Sequence, residues 1–554
     1  MRARRLPLLL AAVLTAAFAA CSDESTGPSN DTLGTPSGLA VTALSATSVR
    51  VTFTAAAGAT AYVIQRADGQ AGAFATVATV NQTSYDDAGL SEGTAYRYRV
   101  AATRGSEQSS FSSEATVTTP VAGPKVATID ADITADRTLH GDTVYTLKGF
   151  IKVGNGATLT IEAGTRIEGD YNTLGSSLFI LRGAKIRAMG TAAAPIVFTS
   201  SRLAGQRQPG DWGGLILIGN ARINRTAPVI LEGTENFASP LNYAGGTDDG
   251  DSSGELHYVR VEFAGYATAP NAELNSFTFA AVGSGTKGDH LESLAGLDDS
   301  YEFFGGGADL SYLVSYESGD DHFDMSEGFS GRLQYLIAYQ SKVLVPRTGA
   351  GNVSSDPEGI ENDGCAGSNC GNGQDSQPYT IPLVANFTLI GTGPGVVDAT
   401  SGGIGMVLRR GTGGYYVNGV VARWPRAAMS IRDAASTGAR IADGSLVVSN
   451  VLTTDNPALF QAGNLTVDAG TNNLEVAVSS ASALFATLPN DPTNGNQFDW
   501  SLATGSPART GGMAAFSGAL AAKAGSFVVA TPYRGAVDPS GAPWWAGWTY
   551  YADN

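Results

Sequence analysis

Short runs of alternating apolar and polar residues occupy most of the chain. Ser48-Val49-Arg50-Val51-Thr52-Phe53, Ala61-Tyr62-Val63-Ile64 and Tyr96-Arg97-Tyr98-Arg99-Val100 each carry their apolar side chains on one edge. Alternation with period two marks a strand with one buried face. Turn-rich stretches separate these runs, which predicts a small sandwich over residues 36–120. After a Pro/Gly linker at 121–126 the style changes. Phe150-Ile151-Lys152-Val153, Ala157-Thr158-Leu159-Thr160-Ile161, Leu178-Phe179-Ile180-Leu181 and Leu215-Ile216-Leu217-Ile218 are short and punctuated by Gly, Asn, Asp or Thr. Apolar sets return every 20–30 residues or so, not as tight hairpins. That interval predicts stacked parallel strands over 127–554, roughly a dozen coils of them.

The clearest repeat lies at 289–340. Asp298-Asp299-Ser300-Tyr301-Glu302 returns as Asp320-Asp321-His322-Phe323-Asp324 at an offset of 22 residues. Leu291 and Leu294 are matched by Leu313 and Tyr316 at the same offset. In a parallel solenoid, neighbouring coils lie about 4.8 Å apart and matched residues form ladders. The register therefore predicts Asp298 beside Asp320, Asp299 beside Asp321 and Glu302 beside Asp324.

Two resemblances add to this reading. Pro36, Phe53 at a position where Trp is usual, and Leu90…Thr94-Ala95-Tyr96, which matches a tyrosine corner, resemble a fibronectin type III domain. Further on, ATLTIEAGTRIEG (157–169), RGAKIRAMGTAAAPIVFTS (182–200), PGDWGGLILIGNA (209–221), LHYVRVEFAGY (256–266), GMVLRRGTGGYYVNGVV (405–421) and YRGAV…WWAGWT (533–549) resemble right-handed parallel β-helix surface lipoproteins of Gram-negative bacteria. The implied fold class is all-β: a small fibronectin type III-like sandwich followed by a long right-handed parallel β-helix. The resemblance implies fold and surface location, and lends no established activity. The less regular, aromatic-rich C-terminal 80 residues are expected to cap the last coil. The alternative is a sugar-stacking platform made of Trp544, Trp545 and Trp548.

Charge narrows the partners. The chain of 554 residues carries a net charge of −17, with only 15% charged residues. Nucleic acid needs a basic face, so it is excluded as a partner. Divalent cations and neutral ligands remain compatible. Residues 1–20 read as an export signal, with Arg2, Arg4 and Arg5 before an apolar run. Phe18-Ala19-Ala20-Cys21 resembles a bacterial lipobox, which implies acylation of Cys21, a membrane anchor without a spanning helix, and an outer-membrane or cell-surface address. The bland alternative is an ordinary signal peptide with an incidental cysteine. Residues 21–35, rich in Ser, Asp, Gly, Pro and Thr, form a flexible tether. Cys365 and Cys370 close a short loop, and in an exported protein a disulfide is the default reading.

The carboxylates are the candidate chemistry. Six acids on two adjacent coils repel one another, more strongly where water is excluded. Four arrangements answer that repulsion: solvent exposure, capping of turn N–H groups, a bound Ca²⁺, or a raised carboxyl pKa serving acid/base cleavage of a glycosidic bond. Candidate catalytic residues are Asp298, Asp299, Asp320, Asp321, His322 and Asp324. Asp320, Asp321 and Asp324 are also candidate Ca²⁺ ligands. So are Asp248, Asp249 and Asp251 in a Gly-spaced loop that lacks the full EF-hand pattern. Glu302 and the basic pair Arg409-Arg410, a possible clamp for a uronate or phosphate, are candidate binding residues. Glu361 and Asp363 would extend the acidic column into a later coil.

Polygalacturonase-type helices place Asp residues on adjacent coils, but their Asn-Thr-Asp and Gly-His-Gly triplets do not occur here. Pectate lyase-type helices pair Ca²⁺ carboxylates with a basic Arg or Lys, and Arg332 and Lys342 follow the acidic coils. No Gly-x-Ser-x-Gly elbow, phosphate loop or zinc helix is found. The sequence thus points to a surface binding or adhesion module for glycans or a protein partner. The alternatives are a polysaccharide-degrading lyase or glycoside hydrolase acting through the 298–324 face, and a structural envelope component.

Overall fold

The computed structural model describes residues 32–270, 272–355, 357–397 and 402–552. The signal, the lipobox with Cys21 and most of the tether therefore lie outside the described residues. The chain divides into two compact units, 1–123 and 124–554. Among the described residues no helix is long and apolar enough to cross a membrane.

The first unit is a two-sheet antiparallel sandwich. Ser37–Ser45, Ser48–Thr54 and Ser84–Ala88 form one sheet. Ala61–Asp68 and Ala95–Arg104 form the centre of the other. The alternating residues meet between them: Val49, Val51, Ile64, Tyr98 and Val100 are fully buried. Phe53 packs edge-on against Tyr62 with centroids 4.7 Å apart. Tyr96 Oη accepts the Ser91 N–H at 2.8 Å, which pins the corner expected from the sequence.

The second unit is a parallel β-helix. A nine-stranded sheet and a seventeen-stranded sheet are wound so that the chain visits them alternately. In the middle coils, Tyr301–Phe304 of the shorter sheet is followed by Asp309–Ser318 of the longer one, then Phe323–Ser326 and Arg332–Tyr339. The predicted register holds: Leu291 pairs with Leu313, Leu294 with Tyr316, and Glu302 with Asp324. The shorter sheet continues Asp324 to Glu361 and Met325 to Asn362. In the longer sheet twelve strands stack in one continuous parallel column, from Lys125–Ile129 to Glu475–Val476, in keeping with the dozen or so coils expected, and stretches such as 219–253 and 341–355 are loop insertions within coils.

Inward-facing residues stack like on like. Phe277, Tyr301 and Phe323 form a column with ring centroids 5.0 and 5.1 Å apart, and Phe279, Phe303 and Phe329 form a second. These aromatics are core. The longer sheet turns sharply at Tyr258, His290, Tyr312, Tyr335, Asn386, Asn418 and Asn450, all with positive φ. The flanking register places these seven in one column.

The C-terminal residues do not cap the last coil. That role falls to Phe460 and Leu465, which bridge to Met429 and Ile431 and pack on the helix interior. Residues 477–552 run back along the flank of the longer sheet, whose outward face is apolar at Phe263, Leu294, Val314, Tyr316, Ile337, Tyr339, Ile390, Val420 and Leu452. Such a face needs cover from water. Phe498, Trp500, Trp545, Trp548 and Tyr551 provide it. Polar pins fix this strap: Trp500 Nε1 donates to Tyr316 Oη at 2.9 Å, Tyr551 Oη to Glu317 at 2.8 Å, and the Tyr550 N–H to Glu292 at 2.9 Å. Trp545 and Trp548 are buried, so no three-tryptophan platform faces solvent.

Candidate functional site: an acidic cleft beside an Asx ladder

The site forms where each long strand turns into the next short one. The repeated Asp-Asp pair divides its labour there. The second aspartate of each pair is turned to the backbone. Asn275 Oδ1 accepts the Asp299 N–H at 3.2 Å, Asp299 Oδ1 accepts the Asp321 N–H at 2.8 Å, and Asp321 Oδ1 accepts the Glu358 N–H at 2.5 Å. Each side chain thus caps the turn of the neighbouring coil, the usual chemistry of Asn and Asp in turns. Asp299 and Asp321 are buried accordingly.

The first aspartate of each pair, Asp298 or Asp320, faces an open cleft of about 800 Å³. Glu232 and Glu273 complete its acidic lining, and the segments 266–270 and 349–355 form its sides. The two side segments are joined where the Ala267 N–H donates to Ala350 O at 2.7 Å. Glu232 meets Glu273 because the turn at Gly233 (φ +72°) presses against Leu274, whose side chain a Cβ there would reach at 2.5 Å. Deeper in, Glu302 accepts from Asn275 Nδ2 at 2.5 Å, and Asp324 stands beside it in register. Asn275 stands in the same column, two residues before Phe277 as Asp299 is before Tyr301, whereas Glu232 and Glu273 lie outside the repeat and nothing in their spacing announces them.

Carboxylate oxygens lie within 4.8 Å of one another in interlocking sets: Glu232 with Glu273 and Asp298, Asp298 with Asp299 and Asp320, and Asp299 with Glu302 and Asp324. A further set joins Asp321, Glu358 and Glu361. Burial, reinforced by neighbouring like charges, holds the Asp298, Asp299, Glu302 and Asp324 carboxyls well above the usual range. The same two causes push Glu232 up to about 8. Asp324 Oδ1 is buried without a hydrogen-bond donor. An all-oxygen donor set with an orphaned buried oxygen fits a hard divalent cation such as Ca²⁺. No Lys or Arg occurs among the described residues that line the cleft.

Several candidates from the sequence lie elsewhere. His322 is inside the coil, 1% exposed, with Nδ1 2.6 Å from Ser315 Oγ. Burial pushes its pKa down to about 3, so it is a neutral structural imidazole away from the cleft. Arg409 and Arg410 are no free anion clamp. Arg409 pairs with Glu361 and Asp363, and Arg410 with Asp363, which neutralises the upper end of the acidic column. The 248–251 loop closes on itself. Asp248 accepts the Gly250 N–H, Asp249 pairs with Arg222, and Asp251 accepts the Asn220 N–H. These three aspartates converge on no common point because each answers a different neighbour. Arg332 is bound to Asp309, and Lys342 lies over the Tyr551 ring, so neither lines the cleft as a lyase base would. Cys365 and Cys370 form a disulfide, and the Arg225 guanidinium bonds Ser368 O in the loop it closes.

The model of the pectate-lyase-like β-helix domain family matches residues 131–500. The chain belongs to that family. A fibronectin type III domain precedes the pectate-lyase-like helix at 34–118. No curated protein matches the chain. Solved structures match the fibronectin unit. FN3tt is 23% identical, with 16% of this chain and 97% of that chain covered at a TM-score of 0.15. A Fn3-like protein from Clostridium thermocellum is 33% identical, with 15% and 91% covered at a TM-score of 0.15. The FN5 domain of Drosophila Lar is 24% identical, with 16% and 99% covered, again at 0.15. This pairing of a fibronectin domain with a pectate-lyase-like helix fits a surface or polysaccharide-related protein.

Proposed function

We propose that the protein is a lipid-anchored surface module that binds polysaccharide through divalent cations held in the acidic cleft. One observation carries the reading: two interlocking carboxylate sets share Asp298 at an open cleft whose described lining holds no cationic side chain, and a third set lies beneath them through Asp299. Without cations such a surface repels anionic polymers. With Ca²⁺ it presents positive charge and open coordination positions to sugar hydroxyls or uronates. Cys21 would tether the chain to the membrane, and the fibronectin domain would act as a spacer. The test is calorimetric titration of the purified protein with Ca²⁺, followed by retention on a polysaccharide panel with and without chelator. Binding is expected to vanish with chelator and in the double variant Asp298→Asn/Asp320→Asn. Retention that ignores both changes refutes the reading.

A cleaving enzyme is the second reading, favoured by one feature. Glu232 keeps its proton up to about pH 8 with Asp298 oxygen within 4.8 Å, a close pair of the kind that glycoside hydrolysis uses. Release of reducing ends from the same panel, abolished by Glu232→Gln, would favour it over the binding module.

A further inference from the structure

A second cavity of about 250 Å³ adjoins the acidic cleft, and Val353, Ser354 and Ser355 line both. Its chemistry is different. Val343, Leu344, Val353, Pro357 and Val397 supply aliphatic walls. Val343 is 46% exposed, and Val345 and Val396, next in sequence to the lining residues Leu344 and Val397, are 73% and 42% exposed. Large aliphatic side chains left in water around a concave surface mark a place of contact. The cavity is preformed. Gln340 fixes its floor by accepting the Ser318 N–H at 2.8 Å and donating to Ser318 O and Lys342 O at 2.9 and 2.8 Å. The Ser354 N–H donates to Gly319 O at 2.9 Å and anchors the partition.

A sugar chain lying in the acidic cleft and continuing past this partition meets the aliphatic pocket with its next substituent. A bare hydroxyl is too small and polar to cover the aliphatic walls. A free carboxylate would place its charge against aliphatic walls and close to Glu232, Glu273, Asp298 and Asp320. Lys342 is also among the lining residues, and its ammonium is shared with the Tyr551 ring, 5.9 Å to the centroid, and with the Glu317 carboxylate, so it offsets only part of that charge. A small ester is neutral, brings a methyl group for the aliphatic walls, and leaves the rest of the sugar polar.

We propose that this pocket is a subsite for an O-acyl group, so that the cleft selects an O-acylated polysaccharide. The proposal rests on the polysaccharide reading of the cleft. The probe pair is acetylated polygalacturonate and the same polymer after alkaline de-esterification, titrated into the full chain with Ca²⁺ present. Acetylated polymer is expected to bind at least tenfold tighter. Val343→Asp, at an exposed position, is expected to erase that preference, leave affinity for the de-esterified polymer within about twofold, and leave the melting temperature unchanged. Equal affinity for both polymers overturns the acyl subsite while leaving the cation-dependent cleft standing. An undiminished preference in Val343→Asp and in Leu344→Ala also overturns it. Failure of both polymers to bind overturns the polysaccharide reading, and the subsite with it.

Discussion

Raising the pH in the absence of divalent cations should destabilise the β-helix, and calcium should reverse the loss. Glu232 has its carboxyl pKa raised from 4.5 to about 8 by burial and by neighbouring acids. Between those values the folded protein holds a proton that the unfolded chain has released. Stability therefore falls as pH rises through the folded pKa, and the loss is complete above it. Each tenfold change in proton affinity is worth about 1.4 kcal/mol, so a full shift from 4.5 to about 8 would be about 5 kcal/mol. Glu232 is only partly covered at the cleft mouth, and solvent screening reduces this to about 2 kcal/mol. Asp298, Asp299, Glu302 and Asp324 are shifted in the same direction and add to the slope. His322 acts oppositely, because the unfolded chain takes up a proton there that the folded state refuses, but only below pH 6.5. The informative window is thus pH 6.5 to 9. Calcium at a hundred times its dissociation constant adds about 2.7 kcal/mol. Its effect should be larger at pH 9, where the ligands are already ionised, than at 6.5, where protons must first leave. Thermal melts across the window, with EDTA or Ca²⁺, measure both slopes, and Glu232→Gln should flatten the EDTA curve. A melting temperature that rises from pH 6.5 to 9 in EDTA, or a calcium effect equal at both ends, would refute the reasoning.

Two further predictions separate the roles inside the site and on the flank. Asp299→Ala leaves the buried Asp321 N–H without its acceptor and should cost about 1–3 kcal/mol in urea unfolding, whereas Asp320→Asn relieves repulsion and should keep or raise stability without calcium; equal losses would count against the division of labour between the paired aspartates. Trp500→Ala removes a fully buried side chain and its bond to Tyr316, so it should cost about 3–5 kcal/mol and expose residues 477–552 to limited proteolysis at enzyme levels that spare the native protein.

Much of the architecture was legible because a solenoid writes its register into the sequence. The 22-residue return of Asp-Asp-x-aromatic-acid placed Glu302 beside Asp324 without any three-dimensional information. The sandwich was legible from Tyr96 and its alternating neighbours for the same local reason. Other features had no local signature. Which coils carry long insertions was not legible, because a loop such as 341–355 has no mark distinguishing it from a short coil. The two aspartates of each pair look equivalent in sequence, and only the path of the turn directs Asp299 and Asp321 to backbone N–H groups and Asp298 and Asp320 to the cleft. Glu232 and Glu273 reach the site on insertions outside the repeat. The strap was misread as a cap because the apolar outer face it covers exists only once the strands have stacked.

That strap has a consequence for how the helix is made. Trp548 closes on Arg260, and Trp500 on Tyr316, pairs separated by 288 and 184 residues along the chain. A solenoid without such closure can add coils one after another as the polypeptide emerges. Here the middle coils stay uncovered on one flank until residues near 550 arrive. Folding is therefore sequential up to a point and then waits, and synthesis that stalls late leaves a wound helix with a sticky side, which is the species a chaperone or protease would meet.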